Sequence, residues 1–160
     1  MKTTASETEL IAEAIGKFEP SVATMILEVR AALRERFPTA YELVYDNFNF
    51  FVIGYCATER PSHCVVSIAA DAKGVALSFY RGTDIDDPLG LLSGSGKQNR
   101  FLRLPQGAAS LTAPGVPELL DRAEALAPQA MRESGTLVTV LRSISEKQRP
   151  RRRTESRPSS

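Results

Sequence analysis

The sequence contains few of the residues that most often build metal centres and nucleophilic active sites. Its 160 residues include two cysteines and one histidine. A structural zinc site needs four ligands, and Cys56, His63 and Cys64 supply three at most. No Gly-x-Ser-x-Gly turn is present that would expose a catalytic serine, so the single histidine completes no recognisable triad. The residues therefore support no named reaction.

Long apolar segments are also missing. The longest mostly apolar run, residues 48–57, contains Asn49 and Gly54 and is too short to cross a bilayer. The opening MKTTASETEL has one lysine followed by acidic residues, unlike a secretory signal peptide. These features predict a cytoplasmic protein without membrane segments, in which cysteines default to free thiols.

Charge is unevenly distributed along the chain. From Lys147 onward there are six basic residues and one acidic residue, whereas residues 1–146 hold fourteen basic and eighteen acidic residues. Residues 147–160 include no apolar side chain, so we expect one folded domain at 1–146 followed by a basic, disordered tail from about Gln148. Such a tail binds nucleic acid weakly at best, through phosphates, and a solvated end is the preferred interpretation.

Hydrophobic spacing predicts helices on either side of a strand-rich region. Ser6 and Glu9 have the form of a capping box before a helical pattern, and a second helix begins at Pro20 and ends before Pro38. The segments NFNFFVIGYCAT, HCVVSIAA and GVALSFYRG predict an antiparallel meander. RFLRL predicts a fourth strand, VPELLDRAEALA a helix and TLVTVLRSI a last strand.

This order of elements predicts an α+β fold in two layers. We expect an antiparallel sheet of about five strands covered by the N-terminal and C-terminal helices. A hairpin about Arg60 sets Cys56 opposite Cys64 across two strands. Because cysteine is often buried, two buried free thiols are the preferred interpretation of this pair.

The segment LGLLSGSGKQNRFLRL, residues 89–104, has the composition of a phosphate-binding loop without its spacing. A Walker A loop requires glycine where Leu91 stands and a hydroxyl residue where Gln98 stands. Glycine amides with basic side chains nearby are still able to hold a small anion. The alternative is a plain surface connection. The candidate ligand-binding residues are Tyr45, Asp46, Ser95, Gly96, Lys97 and Arg100.

Three aspartates precede this loop. Clustered carboxylates at Asp84, Asp86 and Asp87 are able to hold a hard cation, although their spacing is not that of an EF-hand. Aspartates before Pro88 are also typical of a turn, in which they accept backbone hydrogen bonds. The turn is the preferred interpretation, and neither a metal nor a cofactor is predicted.

Several stretches together resemble the YdhG-like family of domains of unknown function. They are FPTAYELVYDNFNFFVIGY, GVALSFYRG, DDPLGLLSGSGKQNRFLRL and LVTVLRSISEKQRPRRR, which lie within Pro20–Arg153. The resemblance implies a small α+β protein with an antiparallel sheet covered by helices. Some members are similar to bacterial frataxin-type iron-binding proteins, but here the second helix mixes Arg30, Arg34 and Arg36 with acidic residues.

The preferred functional hypothesis is a binding module of the YdhG-like type that takes a small ligand, with an anion at the glycine-lysine loop as one candidate. A frataxin-like protein that binds iron or another divalent metal is the first alternative. An enzyme with an unrecognised site is the second, because missing motifs do not exclude catalysis.

Overall fold

A six-stranded sheet and three helices on one of its faces make up the fold. The computed structural model describes residues 6–153. The helices are α1 (Glu7–Gly16), α2 (Pro20–Arg36) and α3 (Val116–Leu126). The strands are β1 (Tyr41–Asp46), β2 (Phe51–Cys56), β3 (Cys64–Asp71), β4 (Gly74–Phe79), β5 (Arg100–Arg103) and β6 (Val138–Ile144). Short 3₁₀ turns lie at Pro61–His63, Gly82–Asp84 and Gly107–Thr112.

Local chemistry sets the helix ends where the sequence predicts them. The side chain of Ser6 accepts a hydrogen bond from the backbone N–H of Glu9, as a capping box requires. Pro20 is the first residue of α2, and α2 ends just before Pro38. All three predicted helices are confirmed. No helix within residues 6–153 is long and apolar enough to cross a bilayer.

The sheet has the order β5-β4-β3-β2-β1-β6. Neighbouring strands are antiparallel except β6, which runs parallel to β1. The α+β architecture is confirmed, but the sheet has one strand more than the sequence predicts, because β1 was not predicted. Glu42, Val44 and Asp46 of β1 are all buried on the helix side. Because two of these three core positions carry charged residues, the sequence lacks the alternation of apolar and polar residues that indicates a half-buried strand.

The main core lies between the helices and one face of the sheet. Residues of β2 to β5 that point toward the helices alternate with residues that point away. The largest fully buried side chains of this core are Phe18, Ile26, Leu33, Phe37, Phe51, Ile53, Tyr55, Ile68, Leu77, Phe79 and Leu104. A smaller cluster of Leu43, Cys56 and Cys64 lies on the opposite face, where Tyr41, Tyr45 and Val140 pack against it.

A fully buried carboxylate, that of Glu42, connects α2 to three strands. Arg30 donates to both of its oxygens, at 3.2 and 2.9 Å, and the Tyr55 hydroxyl donates at 2.7 Å. The hydroxyl of Thr139 on β6 donates at 2.9 Å, and Arg34 Nε lies 3.4 Å from the carboxylate. Every lone pair that burial removes from water therefore has a partner, which is the condition under which a buried charge is tolerated.

This network makes the stability of the fold depend on pH. Burial raises the pKa of Glu42, but Arg30, Tyr55 and Thr139 together lower it below its ordinary value. A carboxyl group with a lowered folded pKa stabilises fully above its unfolded pKa and loses that contribution as the pH falls through the folded pKa. We expect the free energy of unfolding to fall between about pH 5 and about pH 3 less steeply in Glu42→Gln than in the wild type.

Urea denaturation at each pH measures this difference. Glu13→Gln is the matched control, because Glu13 is an exposed carboxylate on α1. Its curve should run parallel to that of the wild type. If Glu42→Gln also ran parallel to the wild type, the Glu42 network would not be the source of the acid sensitivity.

A second buried ion pair fixes the segment that follows β6. Arg151 Nη2 lies 2.9 Å from Asp46 Oδ1, and both side chains are 3% exposed. Lys17 Nζ lies 3.2 Å from the other carboxylate oxygen, and Gln148 donates to the backbone carbonyl of Asp46 at 3.1 Å. Burial raises the pKa of Asp46, but Gln148, Arg151 and Lys17 together lower it below its ordinary value.

The predicted disorder is therefore not confirmed for residues 148–153, and the remainder of the predicted tail, 154–160, lies outside the described residues. Composition suggested disorder because no residue of the segment is apolar. Composition does not show that the Arg151 guanidinium pairs with the buried carboxylate of Asp46, and this charge-assisted contact stabilises an ordered segment.

Replacing Arg151 tests how much this contact stabilises the fold. We expect Arg151→Ala to lower the free energy of unfolding by about 2 kcal/mol. The loss is below that for a fully isolated buried charge because Lys17 still neutralises Asp46. Arg153→Ala is the matched control, since Arg153 is exposed, and should change stability by less than about 0.5 kcal/mol. Equal effects of the two variants in urea denaturation would contradict a structural role for Arg151.

Candidate functional site

A cavity of about 420 Å³ opens on the sheet face that points away from the helices. None of the residues that line it belongs to α1, α2 or α3. Small side chains form its floor: Gly54, Ser67, Ala69 and Ser78. Aromatic side chains form its walls: Tyr45, Phe50, Tyr80 and Phe101. We refer to it as the sheet cavity.

The register of the strands explains why the open face of the sheet has a cavity at this position. Gly54 on β2 pairs with Ser67 on β3, which pairs with Ser78 on β4, which pairs with Phe101 on β5. Three small residues thus stand in one row across the sheet, and a large ring closes the row. A Cβ atom on Gly54 would lie 3.1 Å from Ser67 Oγ and 3.2 Å from Cys64 Sγ, so the floor beneath the cavity is closely packed.

Among the described residues, none of those that line the sheet cavity is charged. Its polar groups are amides and hydroxyls, and the side-chain amide of Asn99 donates to Ser78 Oγ at 2.7 Å. Moving an ion into surroundings without an opposite charge is costly. The lining therefore favours an uncharged ligand over an anion or a cation.

The hydroxyl of Tyr45 is a buried polar group that makes no hydrogen bond of ordinary geometry among the described residues, although the Arg142 side chain lies close to it. Burial raises its pKa above the ordinary tyrosine value, and the positive charge of Arg142 opposes this rise. The hydroxyl is therefore protonated at neutral pH. A buried donor with no partner costs free energy that a ligand acceptor would recover.

Removing this hydroxyl tests whether it is unsatisfied. We expect Tyr45→Phe to leave the free energy of unfolding unchanged or to raise it by up to about 1 kcal/mol, because no protein hydrogen bond is lost. Tyr55→Phe is the matched control, because the Tyr55 hydroxyl donates to Glu42 at 2.7 Å and its loss should destabilise the fold. A clear loss of stability in Tyr45→Phe, measured by urea denaturation, would show that its hydroxyl has a partner.

Two thiols lie at the end of the sheet cavity near the β2–β3 connection. Cys56 and Cys64 stand opposite one another in register, and both are buried and free, which confirms the sequence prediction. Hydrogen bonding between the two sulfurs, followed by burial, raises the pKa of Cys56, and the same contact lowers the pKa of Cys64. The recorded side-chain partner of His63 is Thr58 and not a thiol, since its Nδ1 lies 2.8 Å from Thr58 Oγ1.

The glycine-lysine loop is an exposed connection whose arginine supports the loop itself. Ser95, Gly96 and Lys97 are exposed. Arg100 Nη1 donates to the carbonyl oxygens of Gly96 and Asn99, at 2.6 and 2.7 Å. Anion binding by this loop stays a prediction, and Lys97 is the basic side chain on which it rests.

The other two candidate residues do not join the loop. Arg100 belongs to β5 and both Tyr45 and Asp46 to β1, four strands apart in the sheet order, which corresponds to about 19 Å at the usual strand spacing. Asp46 points to the helix side, where Lys17 and Arg151 bind it. Tyr45 points to the opposite face and lines the sheet cavity. The expected grouping of these residues is corrected, and Tyr45 alone lies at the candidate site.

Asp87, the last of the three aspartates before the loop, acts as a turn residue. The carboxylate of Asp87 accepts hydrogen bonds from the backbone N–H groups of Leu91 and Leu92, both at 2.9 Å. Within residues 6–153, no group of three or more histidine, cysteine or acidic side chains is arranged to hold a metal ion.

A scan against models of known protein families finds no match, and searches of curated proteins and of solved structures find none either. The resemblance to the YdhG-like family accordingly stays a prediction. Sequence reasoning missed the sheet cavity because the signal is small residues at alternate positions, Gly54, Ser67, Ala69 and Ser78, among large apolar ones.

Proposed function

We propose that this protein is a binding module for a small, neutral, planar molecule that occupies the sheet cavity. The observation that carries the proposal is a cavity with aromatic walls, a floor of small side chains and no charged lining residue within the described chain. A resemblance to the YdhG-like family fits such a module, and it adds no ligand.

The dimensions and lining of the cavity suit a small organic ligand. Ligand cavities in proteins commonly measure about 300–1,000 Å³ and combine apolar walls with a few polar groups that set orientation. The volume of about 420 Å³ lies within this range. Phe101 and Tyr45 offer ring faces, and Asn99 and the Tyr45 hydroxyl offer hydrogen bonds. A flat molecule with one or two polar groups matches both kinds of feature, because its faces stack on a ring and its polar groups pair with an amide or a hydroxyl.

The alternatives from the sequence concern other parts of the molecule. A small anion at Lys97 stays a prediction for the exposed loop. The alternative of a metal at Asp84, Asp86 and Asp87 has no support within residues 6–153, where no group of three such side chains is arranged to hold an ion. Catalysis by an unrecognised site stays a third. The proposed binding at the sheet cavity depends on none of them.

Filling the cavity tests the proposal. A thermal-shift screen of neutral aromatic compounds should raise the melting temperature of the wild type, because a ligand that binds the native state alone stabilises it by mass action. Ala69→Leu places a larger side chain on the cavity floor and should remove the shift. Ala109→Leu, the same change at an exposed position on the helix side, should keep it.

Inorganic phosphate forms a separate arm of the screen, with Lys97→Ala as its variant. Hits that stabilise Ala69→Leu as strongly as the wild type would place the binding site outside the sheet cavity. A screen without any neutral hit would contradict the proposed function.

A further inference from the structure

The sheet cavity continues toward the β3–β4 turn. A cavity of about 150 Å³ shares Phe50, Ala69 and Phe101 with the sheet cavity. It also shares Asp71 with a cavity of about 580 Å³, which we call the basic cavity. The shared lining residues join the three into one groove along the open face of the sheet, from the thiol pair to the β3–β4 turn.

The two ends of this groove differ in charge. The sheet cavity has no charged residue in its described lining. The basic cavity is lined by Lys73, Arg149, Arg152 and Arg153, with Asp71 as the one acidic residue among them. Arg103 lines the connecting cavity. These basic groups are exposed, in a chain whose residues 1–146 carry more acidic than basic side chains.

The backbone of the segment that carries the arginines of the basic cavity is held in place by the fold. Arg151 is anchored on Asp46, which fixes the residues on either side of it. The backbone N–H of Arg149 donates to the Phe48 carbonyl at 2.8 Å, and Arg152 Nε donates to the Lys17 carbonyl at 3.1 Å. Basic side chains on a backbone that is already held lose less conformational entropy on binding an anion than basic side chains of a free tail.

We propose that the groove binds a nucleotide, with the base in the sheet cavity and the phosphate in the basic cavity. The inference rests on the proposed function, and it names the class of ligand. A nucleotide joins a flat, neutral ring system to an anion, and the groove offers aromatic walls at one end and basic side chains at the other. Every base has a flat face that stacks on an aromatic side chain, so the aromatic walls suit the base of any nucleotide.

The same chemistry is available from a free mononucleotide and from single-stranded nucleic acid. An open sheet face with exposed aromatic side chains is a surface on which proteins stack unpaired bases. Phe48, next to the groove, is 47% exposed, and the Arg149 guanidinium lies 5.7 Å from the centre of its ring. The Phe48 ring therefore offers a further stacking surface to a nucleic-acid strand whose phosphate lies in the basic cavity.

Calorimetric titration with adenosine, adenosine monophosphate and a single-stranded oligoadenylate tests the inference. The wild type should bind the monophosphate at least tenfold more tightly than adenosine. Lys73→Glu combined with Arg149→Glu should remove this advantage and leave adenosine binding unchanged. Ala69→Leu should weaken binding of all three probes.

The matched control is Arg60→Glu combined with Lys147→Glu, which changes the charge equally at exposed positions outside the groove lining. It should bind like the wild type. Circular dichroism melting curves establish that each variant is folded. Oligoadenylate that binds more tightly than the monophosphate, with a steeper salt dependence, identifies single-stranded nucleic acid as the source. Equal affinities identify the mononucleotide.

Three results would overturn the inference. If adenosine binds and the phosphate adds nothing, the proposed function stands and the nucleotide assignment fails. If the monophosphate binds Ala69→Leu as well as the wild type, the base is bound elsewhere, and if it loses affinity in Lys97→Ala, the phosphate is bound at the exposed loop. If neutral aromatic compounds bind and no nucleoside does, the nucleotide assignment fails and the proposed function stands. If no neutral compound binds, both the nucleotide assignment and the proposed function fail.

Discussion

The architecture depends on one buried carboxylate. Glu42 receives hydrogen bonds from α2, β2 and β6, so the same group fixes the helix layer and the last strand. A buried charge without these partners would cost more free energy than any single apolar contact contributes. The helices must therefore cover the face toward which Glu42 points. Asp46, four residues later on the same strand face, fixes α1 and the C-terminal segment in the same way.

The open face follows from this arrangement. Arg30, Arg34 and Lys17 all approach β1 from one side, which places α1 and α2 there. The opposite face keeps a small apolar cluster around Leu43 and the two thiols, and next to it the row of small residues that forms the sheet cavity. A surface of this kind has aromatic side chains without a covering layer, which is a common property of ligand sites and of single-strand binding surfaces.

Sequence reasoning located the elements whose pattern is apolar and failed where polar residues are buried. The helices and the strands β2 to β5 show regular spacing, and the register of Cys56 with Cys64 followed from the hairpin. β1 was missed because Glu42 and Asp46 occupy core positions. The parallel pairing of β6 was missed because a strand's partner is chosen by long-range contacts, here that of Thr139 with Glu42. The cavity was missed because a void follows from which small residues become neighbours in register.

In the C-terminal segment, the ion pair between Arg151 and Asp46 determines whether the neighbouring basic residues are ordered. Taken by composition, residues 148–153 are solvated charges with no reason to order. Once Arg151 is buried on Asp46, the arginines beside it stand at defined positions around the basic cavity, next to Lys73. Nε and Nη1 of the Arg151 guanidinium have no partners among the described residues, and Nη2 donates to both the Asp46 carboxylate and the Asn47 carbonyl. A segment anchored in this way stabilises the fold and at the same time holds the charges of its neighbours at defined positions around the basic cavity.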